Sequence, residues 1–444
     1  MSALCASERR NRTRAAARTS DRFLALTVRD GYVRHRTDQV ATEEARCGMP
    51  FTFPYGLIEL PLWGYAVFTF VMVQVMFLGV TLYLHRDQSH GGLVLHPILR
   101  HFFRFWLWFS AATVTRQWVA VHRRHHAFAD LPGDPHSPVV FGLRRVLWQG
   151  YELYAAVARD PAILANYGRG TPDDWLERNL YGRFPVAGIS IFITLQMIVF
   201  GVPAITMIGV QLIAQPLFAA GVINGLGHRL GYRSFEMPNA ATNIVPWGLL
   251  IAGEELHNNH HAFPASARFS VQPWEIDVGW LFICFFRVLG LARVVKTAPS
   301  PTIARERVAI DTNTVQALFT NRMHVLRDYR RLVIEPVIRE VAKRGIAVPA
   351  GANVSKLLIR HPQLLDEPSR QQLHALLDRD EILRVVIEFR DRLQQLWDET
   401  AASPEPALEQ LCELRSGAEG SPILPLRRFA RRLATYVPAA SSMS

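Results

Sequence analysis

Thiols are scarce in this chain: its 444 residues include four cysteines, Cys5, Cys47, Cys284 and Cys412, with no CxxC spacing among them. Neither a disulfide framework nor a thiolate metal site is indicated. Lysine is nearly absent as well. Lys296, Lys343 and Lys356 are the only three, so arginine supplies almost all of the excess of 49 basic over 38 acidic side chains. Such an excess suits nucleic acid, an anionic membrane surface or an acidic substrate, but the arginine skew reads more simply as codon usage in a GC-rich, bacterial genome. No GxGxxG marks a flavin or nicotinamide site, and no HPGG marks a fused haem domain. Residues 1–48 carry many arginines and lack the apolar core of a secretory signal. They are expected to be a basic, disordered tail or to precede the true start at Met49.

Long apolar runs are what the chain does have. Pro61 to Leu84 is uncharged for 24 residues, enough for a helix to cross a hydrocarbon core of about 30 Å. A second apolar tract, Pro185 to Asn224, is broken by Gly201, Pro203 and Gly209 and fits two helices of a hairpin. Between them, Ile98–Ala120 is apolar but contains Arg100, Arg104 and Arg116, which are costly at a bilayer centre. An interfacial or protein-shielded position is expected for it. The segment Thr297–Ile303 is a Pro/Ser linker. Beyond it Val315–Lys343, Ser369–Trp397 and Pro425–Val437 have the spacing of soluble amphipathic helices. The expected organisation is a basic tail (1–48), a membrane domain (49–296), a linker (297–303) and a soluble helical region (304–444), in which no cluster of catalytic residue types and no nucleic-acid module is expected.

Each apolar run ends at histidine. Nine of the sixteen histidines fall in four groups: His85 and His90; His122, His125 and His126; His228; and His257, His260 and His261. On a helix the three imidazoles of HxxHH project from neighbouring positions, able to grip one metal or bridge two. His85 and His90 are five apart, which suits ligands reaching different metals or a helix fraying at the membrane exit. Asn224, four residues before His228, is as well suited to a helix-terminal hydrogen bond as to a ligand role. Nine imidazoles exceed what one ion takes, so two metals are implied. Crossing parity supports one shared site: a hairpin at 185–224 returns the chain to the face it left, whereas a span at 98–120 would separate the first two groups. Asp87, Asp130, Asp134, Glu254 and Glu255 are candidates to accept from ligand N–H groups. His96, His101 and His136 lack the spacing and read as ordinary histidines.

In this order, HxxxxH at 85–90, HxxHH at 122–126, NxxxH at 224–228 and HxxHH at 257–261 resemble the integral-membrane fatty acid desaturases, especially the delta-9, stearoyl-CoA desaturase-like group. The flanking WVAVHRRHHAFAD, GDPHSP and WEIDVGWLFICFFRVLGLA agree, and the resemblance covers roughly residues 55–295. It implies an all-α integral membrane protein with three to four transmembrane helices and a cytosolic helical cap, in a bacterial inner membrane. It also implies two iron ions held by the nine histidines, with Asn224 acting through water. The family reaction takes O₂ and two electrons and places a cis double bond in a saturated acyl chain. An alkyl C–H has no acidic proton, so acid–base side chains alone are inadequate. Phe, Trp and Leu residues around 102–118 and 274–289 are candidates to line an acyl tunnel, with ordinary packing the commoner role. Animal acyl-CoA members carry a charged pair where this chain has Ala120 and Val121, and a tryptophan where it has Gly221, so the carrier is coenzyme A or a membrane lipid. Electrons are expected from a separate ferredoxin, rubredoxin or reductase. A related hydroxylase or alkane monooxygenase is the nearest alternative, and a metal-binding transporter a more distant one.

Overall fold

The structure is a computed structural model that describes residues 56–304, 306–307, 309–344, 353–399 and 404–438; the basic tail and Met49 lie outside them. The described chain is mainly helical, but it is not purely so. Leu93–Leu95 pairs antiparallel with Ala292–Val294, Trp247–Gly248 pairs in parallel with Ile276–Asp277, and Thr302–Ile303 pairs antiparallel with Tyr436–Val437. These short ladders give backbone partners to segments that leave or flank helices, where buried N–H and C=O groups would otherwise go unmet.

Two helices among the described residues are long and apolar enough to cross a membrane: Leu62–Ser89, of 28 residues, and Pro203–Leu226, of 24. Their outward faces carry exposed Leu62, Trp63, Phe70, Ile205, Val210 and Ile213, an apolar surface that lipid covers better than water. The expected hairpin is present. Ala187–Phe200 ends at Gly201, whose φ of +64° favours glycine, and Pro203 opens the return helix at a position needing no N–H donor. At 14 residues, Ala187–Phe200 rises only about 21 Å as an α-helix.

The arginine-bearing stretch is two helices, Pro97–Ala111 and Thr115–Phe128, separated by a turn at Ala112. Its charges are met by protein. Arg100 makes two 2.7 Å bonds to Asp87, and Arg104 binds both oxygens of Asp174 at 2.8 and 2.9 Å. Bidentate pairing of this kind is what lets a guanidinium sit among apolar side chains. Beyond residue 311 a separate buried core gathers Val315, Tyr329, Val333, Leu393 and Phe429. Two of its helices, Val354–Ile359 and Pro404–Glu419, were not evident from the periodicity.

Candidate metal centre

The first long helix changes character as it nears the histidines. It is α-helical over Leu62–Leu78 and a π-helix over Gly79–Ser89, where the His90 N–H bonds the His85 carbonyl five residues back at 3.2 Å. Five residues turn an α-helix well past a full revolution, but in the wider π turn positions i and i+5 share a face. His85 and His90 therefore point into the same group; of the two expectations for this spacing, ligands to different groups or a fraying helix, the first is corrected, and the helix widens into a π turn instead of fraying.

The nine imidazoles separate into two groups. In the first, His85, His90, His122, His126 and His260 converge: His85 Nε2 lies 2.9 Å from His260 Nε2, His260 Nε2 lies 2.8 Å from His126 Nε2, and His90 Nε2 lies 2.9 Å from His122 Nε2. In the second, His125 and His257 each lie near His261, at 3.3 and 3.1 Å, and His228 lies 3.0 Å from His257. Each HxxHH helix contributes rings to both groups, so neither triplet is confined to one of them.

Three buried carboxylates fix the ring orientation. Glu254 accepts from His85 Nδ1 at 2.8 Å, Asp134 from His125 Nδ1 at 3.0 Å, and Asp130 from His228 Nδ1 at 2.8 Å. With the proton on Nδ1, the Nε2 lone pair faces the group. Burial, and then the neighbouring rings, push His122, His126, His257, His260 and His261 well below the ordinary imidazole range. They are neutral, the form that binds metal. Two imidazole nitrogens can share a proton, but four or five converging lone pairs cannot all be satisfied that way. A cation in each group satisfies them, and an all-imidazole set suits iron, zinc, copper or nickel.

The other sequence candidates divide. Asp87 serves Arg100, and Glu255 accepts the N–H groups of Leu250, Ile251 and Gly253, so neither touches a histidine ring of the groups. Asn224 sits on the π-helix Gln215–Leu226 and donates to the Ala219 carbonyl at 3.3 Å. His136, read as ordinary, is buried with its ring 4.7 Å from that of His125, and its backbone N–H bonds Asp134. Its position in GDPHSP, just past the second box, was the available signal. Sequence reasoning also missed the cradle of the third box. Asn258 bonds the backbone of Ser234, Phe235 and Ala241, while Asn259 reaches Glu275 at 2.7 Å. It missed Arg86 too, whose guanidinium pairs with Asp277 at 3.0 and 3.1 Å with neither side chain exposed.

The family model described as fatty acid desaturase matches residues 61–275, a range that contains all nine histidines. An acyl-CoA 5-desaturase of Anemone leveillei is 31% identical over 279 residues, 60% of this chain and 79% of that protein. Delta-9 acyl-lipid desaturase 2 of Arabidopsis thaliana is 30% identical over 258 residues, covering 56% of this chain and 79% of the relative. The sn-1 stearoyl-lipid 9-desaturase of Synechocystis sp. is 30% identical over 237 residues, covering 52% and 70%.

Proposed function

This chain belongs to the fatty acid desaturase family, and from that premise we propose that it places a cis double bond at the delta-9 position of a saturated acyl chain carried on a membrane lipid. It is an oxidoreductase acting on acyl chains. In the proposed reaction O₂, two electrons and two protons join two hydrogens from adjacent carbons to give two waters and the alkene. The observation that carries the reading is the convergence of nine Nε2 atoms into groups of five and four.

Two iron ions fit these groups, and when bound they would supply the O₂ chemistry that an unactivated C–H requires. His85, His90, His122, His126 and His260 would hold one, and His125, His228, His257 and His261 the other, with Asn224 ordering a water. Glu254, Asp134 and Asp130 keep the rings aimed. The second group is fully buried and the first is buried except for the partly exposed His90 and His126, so bulk water reaches the groups from that side alone. Position of the acyl chain, rather than reactivity of its carbons, then selects the bond that is oxidised.

The choice of a lipid carrier rests on packing. Ala120 and Val121 are 0% and 2% exposed on the helix of the second box, so the positions that bear a charged pair in the animal acyl-CoA members here face the interior. At Gly221 a Cβ would lie 3.0 Å from the Leu147 carbonyl oxygen, which leaves no room for a tryptophan. Two of the relatives above are named for acyl-lipid substrates. We read Leu62–Ser89 and the hairpin as three spans and the histidine groups as facing the cytoplasm of a bacterial inner membrane, where a ferredoxin, rubredoxin or reductase would deliver electrons. The helix Val278–Val288 exposes Leu281, Phe285 and Val288 and suits the lipid interface.

Expression in a host with saturated lipids, with double bonds located by derivatisation and mass spectrometry, tests the reading. New delta-9 monoenes in the glycerolipids are expected. A new hydroxyl with no double bond would sink desaturation in favour of oxygen insertion, and turnover of free stearoyl-CoA ahead of lipid would sink the carrier.

A further inference from the structure

The helical region beyond residue 311 contributes no histidine to either group, yet it touches the support of the third box. His324, buried on helix Arg322–Tyr329, lies between two phenylalanines: its ring is 5.3 Å from Phe263 at 22° and 5.3 Å from Phe235 at 88°. Three residues on, Arg327 sets its guanidinium 5.8 Å from the Phe235 ring centre, and three further on Arg330 reaches Glu236 at 3.8 Å. Residues 324, 327 and 330 repeat at one-turn spacing, so a single helix face makes the seam.

Both phenylalanines are tied directly to the box. Phe263 follows His261 by two residues, and its N–H bonds the Asn259 and His260 carbonyls at 3.0 and 3.1 Å. The Phe235 N–H and carbonyl are both held at 2.9 Å by the side chain of Asn258, which follows His257. Movement at the seam is thus passed to the short helix His257–Ala262, which supplies ligand candidates to both groups. Nothing in the C-terminal region needs to enter the site for this to matter, since groups that orient metal ligands set affinity from outside the coordination shell.

We propose that the C-terminal helical region is a brace, docked through the His324 ring, that sets how firmly the third histidine box retains metal. The idea rests on the metal assignment above but not on the acyl substrate. His324 is a positioning residue that acts through Phe235 and Phe263. Coupling of this kind is reciprocal: if docking slows metal loss by strengthening binding, metal strengthens docking by the same factor.

The test uses the full chain loaded with ferrous iron and challenged with an iron chelator. His324→Ala, which empties the seam, is expected to release iron at least about fivefold faster, the lower end of ordinary coupling between sites. His324→Phe keeps the ring and is expected to restore near-native retention, a rescue that a general loss of folding would not show. A second arm needs no variant: amides of 322–329 in the native sequence are expected to exchange hydrogen faster after iron removal. Native-rate release from His324→Ala, or exchange at 322–329 indifferent to iron, overturns the brace. Native protein that holds no iron overturns the metal assignment and the brace together, whereas retained iron with no lipid product overturns only the desaturase reading.

Discussion

Replacing Arg86 by methionine would leave the Asp277 carboxylate buried without its cation. Arg86 donates to both Asp277 oxygens at 3.0 and 3.1 Å and to the Ala267 and Ala252 carbonyls at 2.9 and 3.3 Å, and its guanidinium lies 3.8 Å over the Phe269 ring. Asp277 would keep the N–H groups of Phe269 and Trp280 at 2.7 and 2.9 Å, but these do not neutralise it. Breaking a fully buried pair from one side costs about 3–5 kcal/mol, most of it from the charge left behind. The loss should reach the metal centre, because Phe269 also packs against His85 and His260 at 5.3 and 4.8 Å. Thermal unfolding in detergent should show a melting temperature lower by about 5 °C or more, with iron content reduced. The double variant Arg86→Met with Asp277→Leu should recover a large part of the loss, since removing both charges removes the stranded one. An Arg86→Met protein with native melting temperature and native iron would show that the buried pair supports neither the fold nor the metal centre.

Asp134→Asn and Glu254→Gln each remove a carboxylate that orients a ring, and each should weaken iron binding about 10–100-fold in chelator competition; unchanged affinity would show that these groups do not set the ligand tautomer. Glu177 offers a pH test. Burial raises its carboxyl to about 7, partly offset by Arg104 and reinforced by Asp174 and Asp173. Its folded pKa is above its unfolded one, so its stabilising share is present at low pH and is lost as pH rises through about 7. Glu177→Gln should therefore gain on the native protein between pH 5 and pH 8, by at most about 3 kcal/mol, and a difference in melting temperature independent of pH would contradict this.

The histidine groups were legible because their members repeat at helical spacing, as ligands on one helix face would, and each abuts an apolar run. Their allotment to two clusters was not, since His85 meets His260 across 175 residues and no local pattern encodes that pairing. The π-helix was hidden for a related reason: hydrophobic period finds a 3.6-residue repeat, and a widened turn at Gly79–Ser89 breaks that phase without a marker residue. The hairpin was legible from Gly201 and Pro203, whose backbone preferences act locally. Arg100 and Arg104 marked 98–120 as a stretch needing protein partners, but those partners, Asp87 and Asp174, lie 13 and 70 residues away. Arg86 and Asp277 were missed altogether, because charges 191 residues apart give no hint of contact.

Metal analysis of the purified full chain decides whether the two histidine groups are a di-iron centre. Two groups of converging imidazoles, one of five and one of four, predict two iron ions per chain, both lost when His125 and His260 are replaced together by alanine. One ion per chain, or zinc with no iron, would rule out a di-iron centre.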